Sequence, residues 1–240
     1  MGTLKSFVVA ALILVCAVAV AKDEEIPAKV ITVKEIPTWY HEGLHFDGRN
    51  IWVANGLKGK IWIVDPESGK VLRDLVPPGT FTEAVTSGGK DLYVLTDWDA
   101  EKIYTARAEG GRMRIEKEVP LKNTHPAGIV SNGRNFFVIT WTRSLAGTKF
   151  DVLKLDSGFN VIKSYRINDI QEPSQIAWDG RNLWISSWYD RRIYRMDPDT
   201  MGITGYIKSP VKKTTGIAWD GKTLWVTGTY SDLYKMELQN

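Results

Sequence analysis

The chain has 240 residues, 43% of them hydrophobic and ten of them tryptophan, so it can bury a full core, and a repeat architecture can use its whole length as one domain. Its formal net charge is only +3 and no basic run stands out, which speaks against nucleic acid as a partner. The single cysteine, Cys16, lies near the N-terminus, so the rest of the chain can form no disulfide, hold no thiolate metal site and use no cysteine nucleophile.

Residues 1–21 read as a secretory signal. Lys5 supplies the positive end, residues 7–20 the apolar run, and Ala19-Val20-Ala21 an A-x-A cleavage site before Lys22. The alternative is a retained anchor, although the apolar run is short for a membrane span. Val15 stands before Cys16 where a lipoprotein signal needs a small residue. The expectation is an extracytoplasmic protein, periplasmic or secreted, with no stable membrane insertion after cleavage and with residues 22–240 as one domain.

Residues 29–36 (KVITVKEI) alternate apolar and polar side chains, the pattern of a half-buried strand. After them one unit recurs, clearest at residues 172–197. It has a polar lead-in, an apolar strand ending at Asp179-Gly180, a second strand, a polar-aromatic turn and a third strand. The Asp-Gly step predicts a tight two-residue hairpin, because glycine adopts positive φ without steric cost. Corresponding glycines are Gly48, Gly89, Gly133, Gly180 and Gly221, spaced 41–47 residues apart. That period predicts an all-β, five-bladed β-propeller with four strands per blade.

The fifth blade is one strand short and residues 29–36 are one strand spare. The pattern therefore predicts that the N-terminal strand closes the last blade, which also protects its edge. Asp65-Pro66 and Asp197-Pro198 suit the turns from third to fourth strand. Residues 141–150 (WTRSLAGTKF) read as a long turn on the site face, either a lid, a docking loop or a tolerated insertion.

If the hairpin glycines share one face of the ring, the starts of the inner strands and the ends of the second strands share the other. The first ring is then Glu42, Glu83, Ala127, Ser174 and Thr215, and the second Gly56, Asp97, Trp141, Trp188 and Thr229. Behind them lies His41, with Tyr40, Phe81, His125, Glu172 and Lys213 further out. Carboxylates, indoles and hydroxyls converging on one mouth are the usual form of a small-ligand pocket. Small propellers also fill their axis with polar side chains and water. A metal site from His41, Glu42 and His125 is conceivable, but no ligand-spacing motif supports it. Trp52, Trp184 and Trp225 recur at one repeat position, and Trp178 and Trp219 at another, which predicts packing between blades.

Several stretches resemble the glutamine cyclotransferase family, the plant and bacterial type of glutaminyl-peptide cyclotransferase. They include Tyr40-His41-Glu42-Gly43-Leu44 (the family's F-T-Q-G-L), Val64-Asp65-Pro66-Glu67-Ser68-Gly69-Lys70, Phe81-Thr82-Glu83, Leu92-Tyr93-Val94-Leu95-Thr96 and Val226-Thr227-Gly228. The resemblance implies a five-bladed propeller that converts an N-terminal glutamine to pyroglutamate with loss of ammonia, using no metal and no cofactor. It implies Glu83 as the acid/base, with Phe81 and Trp188 beside the substrate. Tyr40, Glu42, Asp97, Trp141, Ser174 and Thr229 complete the expected substrate-binding set, for a small molecule or a peptide N-terminus. Here the family's glutamine is Glu42, a tryptophan is Asp97 (with Trp98 adjacent), another tryptophan is Ala127, an asparagine is Ser174 and a lysine is Thr229. The alternative function is a non-catalytic binding propeller of the same fold. A third is a metal-dependent lyase or lactonase-type propeller.

Overall fold

A computed structural model describes residues 24–36 and 40–239; the expected signal segment lies outside these residues. The first blade holds β2 (Leu44–Phe46), β3 (Ile51–Asn55), β4 (Lys60–Val64) and β5 (Val71–Leu75). The second holds β6 (Thr82–Gly89), β7 (Leu92–Asp97), β8 (Lys102–Glu109) and β9 (Arg112–Pro120). The third is β10 (His125–Ser131), β11 (Phe136–Ser144), β12 (Gly147–Leu155) and β13 (Val161–Ile167). The fourth is β14 (Pro173–Trp178), β15 (Leu183–Ser187), β16 (Arg192–Met196) and β17 (Ile203–Lys208). The fifth is β18 (Thr214–Trp219), β19 (Leu224–Gly228), β20 (Leu233–Leu238) and the N-terminal β1 (Ala28–Lys34). Each blade is a four-stranded antiparallel sheet, and β1 pairs with β20 from Ala28 opposite Leu238 to Lys34 opposite Leu233. The fold is the expected five-bladed propeller closed by its N-terminal strand.

The hairpin turns differ from the expected two-residue form. Asp47–Asn50 is a four-residue loop, and the Asp47 carboxylate accepts the N–H groups of Arg49 and Asn50 at 2.8 and 2.7 Å. Asp179 and Asp220 do the same in the fourth and fifth blades. The aspartate holds its own turn, and glycine follows it at φ 96° in all three. The second carboxylate oxygen takes an indole N–H: Trp52 to Asp47 at 2.7 Å, Trp184 to Asp179 at 2.8 Å, Trp225 to Asp220 at 2.9 Å. These three rings are almost wholly buried, so one residue type fills the layer between blades while its polar edge is satisfied. Trp178 and Trp219, expected in the same role, are only half-buried and line an axial cavity at the hairpin end.

The core is a set of layers between neighbouring blades. One runs from Trp52, Ile61 and Leu75 of the first blade to Val85, Leu95 and Tyr104 of the second. Comparable layers join the other neighbours, including the fifth blade to the first through Trp225, Leu233, Leu44 and Trp62. Polar ties repeat the circuit near the axis. Gly43 N–H donates to the Glu83 carbonyl at 2.7 Å. The Thr96 hydroxyl donates to Ala127 O at 2.5 Å and the Trp141 indole to Pro173 O at 2.8 Å. The Ser174 hydroxyl donates to Thr214 O at 2.7 Å and the Thr215 hydroxyl to His41 O at 2.6 Å. Every blade is thus tied to the next.

Candidate active site

Gly43 sets the site. A Cβ there would lie 2.7 Å from the Glu83 carbonyl oxygen and 2.8 Å from Ala84 Cα, so only glycine lets the inner strands of blades one and two approach this closely. The approach places Glu42 beside Glu83, and their carboxyl groups hydrogen-bond to each other. Two carboxylates cannot share a hydrogen bond unless one carries a proton. Burial, then the Glu83 charge, raises Glu42 well above the usual carboxylate range. Burial pushes Glu83 up to about 8; the hydrogen bond from Glu42 opposes this, and the charges of Asp97 and Asp99 add to it. The hydrogen bond therefore requires at least one proton on the pair, and both groups hold protons more tightly than exposed carboxyls do.

Above the pair opens a cavity of about 620 Å³. Tyr40, Phe81, Trp98, Trp141, Trp188 and Tyr189 supply its aromatic walls. Tyr40 stands at φ 69° and meets Phe81 edge-on at 6.3 Å. Gly56 packs against Phe81, and a Cβ there would lie only 2.5 Å from that ring. Trp141 is edge-on to Trp98 at 5.3 Å and to Phe150 at 4.8 Å. Two cations sit on the rim over indoles: Arg143 at 5.4 Å from the Trp98 ring and Lys213 at 5.1 Å from Trp188. Asp99 and Glu172 add two further carboxylates to the lining.

Of the expected site residues, Tyr40, Glu42, Phe81, Glu83, Trp141, Ser174 and Trp188 line this cavity. The Ser174 hydroxyl, however, is occupied by Thr214 O and by the Ser186 hydroxyl at 2.8 Å. Asp97 and Thr229 are not part of the lining. The buried Asp97 carboxylate accepts the N–H groups of Thr80, Phe81 and Ala100, at 2.7, 2.9 and 2.8 Å. It is a turn-holding group that fixes Phe81 rather than a group offered to substrate. Thr229 is buried behind Tyr40, and its carbonyl accepts the N–H groups of Tyr40 and His41.

Neither expected histidine faces the mouth. His41 is buried with Nδ1 3.0 Å from Ser231 O, and His125 lies flat on Trp98 at 4.7 Å with Nδ1 3.0 Å from Trp98 O. Among the described residues no cluster of three His, Cys, Asp or Glu could hold a metal ion. The long turn expected at 141–150 is instead a hairpin, in which β11 and β12 stay paired as far as Ser144 and Gly147. The same-face period of two then puts Arg143 beside Trp141, the signal that could have found it. Trp98 and Arg143 were not anticipated as cavity residues. Trp98 supplies an indole one position after Asp97, and Lys213 adds a cation to the rim.

The sequence profile of the glutamine cyclotransferase family matches residues 7–238, and the chain belongs to that family. Comparison with curated proteins gave no match. Among solved structures it is similar to the Myxococcus xanthus glutaminyl cyclase, at 15% identity and TM-score 0.72 over 91% of this chain and 100% of that one. It is also similar to a luciferin-regenerating enzyme, at 12% identity and TM-score 0.58 over 88% and 95% of the two chains. A PQQ-bound aldose sugar dehydrogenase from Streptomyces coelicolor follows, at 11% identity and TM-score 0.57 over 89% and 98%. At these identities the structural likenesses establish the propeller fold alone.

Proposed function

We propose that this chain is an extracytoplasmic glutaminyl-peptide cyclotransferase, closing the N-terminal glutamine of a peptide to pyroglutamate with release of ammonia. The observation that carries this reading is the hydrogen-bonded Glu42–Glu83 pair on the floor of an aromatic cavity. Family membership supplies the reaction class.

The chemistry needs a proton removed from one nitrogen and another delivered to a second nitrogen. The α-amine attacks the γ-carbonyl carbon of its own side chain, and the ionised carboxyl takes a proton from that amine as the new N–C bond forms. The protonated carboxyl gives its proton to the amide nitrogen, the old C–N bond breaks and ammonia leaves. The pair ends as it began, with one proton between two carboxyls. N-terminal amines titrate at about 7.7–8.0, so a useful fraction is neutral at physiological pH. Positioned proton transfer contributes about 10²–10⁴ in rate. The aromatic walls would exclude water and hold the substrate's methylenes, with Lys213 and Arg143 available to the peptide beyond its first residue.

The test is ammonia release from a Gln-initiated dipeptide, measured with a chelator present and beside Glu83→Gln. Release that survives the chelator and is lost in the variant is expected. Absence of release from folded protein would overturn the proposal in favour of a binding propeller; release abolished by the chelator would favour the metal-dependent class.

A further inference from the structure

A second cavity, about 410 Å³, occupies the opposite end of the axis, where the hairpin turns gather. Part of its wall comes from the residue two positions before each repeat glycine. In blades one, four and five that residue is Phe46, Trp178 and Trp219; in blades two and three it is Ser87 and Ser131. These positions are therefore aromatic on one arc and polar on the other, and the stacked rings of Phe136 and Phe159 add aromatic surface beside the serines. No carboxylate lines it, in contrast to the four at the catalytic mouth.

Its polar groups can all donate. The indole nitrogens of Trp178 and Trp219 make no hydrogen bond to the described residues, although both rings are half-buried. Arg134 is exposed on the polar arc; its backbone N–H is tied to Asn132 and its guanidinium has no partner among the described residues. The Ser87 and Ser131 hydroxyl oxygens accept N–H groups of Gly89 and Gly133, which leaves their protons to donate. His45 also belongs to the wall, but its unpartnered Nε2 is buried away from the cavity. Burial lowers its pKa to about 4, against the opposing charge of Asp47, so the ring is neutral at pH 7. The nearby carboxylates of Asp47, Asp179 and Asp220 are already satisfied by turn amides and by the indoles of Trp52, Trp184 and Trp225.

We infer that this end of the axis is a second ligand site, which takes a small organic carboxylate with an apolar or aromatic body. The rings of Phe46, Trp178 and Trp219 receive the body, and Arg134 with the two serines receives the carboxylate. The site is separate from the proposed reaction and does not depend on it.

Calorimetric titration with phenylacetate, and with phenylacetamide as its uncharged counterpart, tests the inference. Saturable binding of phenylacetate is expected, with the amide weaker by about tenfold or more, the effect of losing a charge-assisted hydrogen bond. Arg134→Gln, on an exposed turn, should abolish the preference without altering the fold. Trp219→Leu should weaken both ligands, while Lys213→Gln at the catalytic mouth should change neither. No saturable binding of phenylacetate would overturn the inference. So would binding that is indifferent to Arg134→Gln, or binding lost in Lys213→Gln, which would place the carboxylate at the mouth.

Discussion

The Trp141 indole donates to the Pro173 carbonyl at 2.8 Å, so one ring both walls the cavity and ties the third blade to the fourth. Trp141→Phe keeps an aromatic wall against Trp98 and Phe150 but removes the tie. A stability loss of about 0.5–1.5 kcal/mol is expected, read from denaturant unfolding. A larger rise in KM than in kcat loss would show that the tie positions the wall.

Glu42 and Glu83 both bind protons more tightly in the folded protein than in the unfolded chain. Between the ordinary value of 4.5 and about 8 for Glu83, the folded state holds more protons than the unfolded state. Stability must therefore fall as pH rises through that window. Glu42→Gln removes one of the two groups, so its melting temperature should depend less on pH and exceed that of the parent at pH 8. Melting curves at pH 5 and pH 8 check this; equal slopes in the two proteins would refute a proton-sharing pair.

Asp97→Asn places an NH₂ group against N–H donors that the carboxylate accepted. A loss of about 1–3 kcal/mol is expected. Substrate KM in the protein that remains folded should be nearly unchanged except through Phe81. An intact melting temperature with a large rise in KM would restore Asp97 to the substrate set.

Trp184→Ala empties a layer between blades and leaves Asp179 without its indole donor. A destabilisation of about 3–5 kcal/mol is expected from thermal or denaturant melts. Removing residues through 36 takes away β1 and exposes β20 as an open edge. The melting temperature should then fall by about 10 °C or more, with aggregation on heating.

The architecture was legible because its signals are local and periodic. Asp47-Gly48, Asp179-Gly180 and Asp220-Gly221 each build a turn from adjacent residues, and their spacing counts the blades. The ring of side chains around the mouth was less legible because counting along a strand assumes unbroken pairing. Four inner strands carry register shifts near the mouth, at Thr82/Ala84, Pro126/Ile129, Pro173/Ile176 and Thr214/Gly216. Such bulges re-aim side chains. Asp97 accordingly turns to its own loop, and Trp98, beyond the end of β7, takes the wall. Residues 142–149 are mostly polar and hid their strand character, because a hairpin projecting from the ring has no apolar face to alternate with.

The ties that run blade to blade around the axis have a consequence for selectivity. A cavity bounded by a closed hoop cannot widen by swinging one wall, because each wall is fastened to both neighbours. The pocket is preorganised before its ligand arrives, so little ordering is left to be done on binding. Such a pocket selects among ligands by refusing those whose shape is wrong, and changes of preference should come through residues standing on the rim, such as Arg143 and Lys213, rather than through movement of the blades.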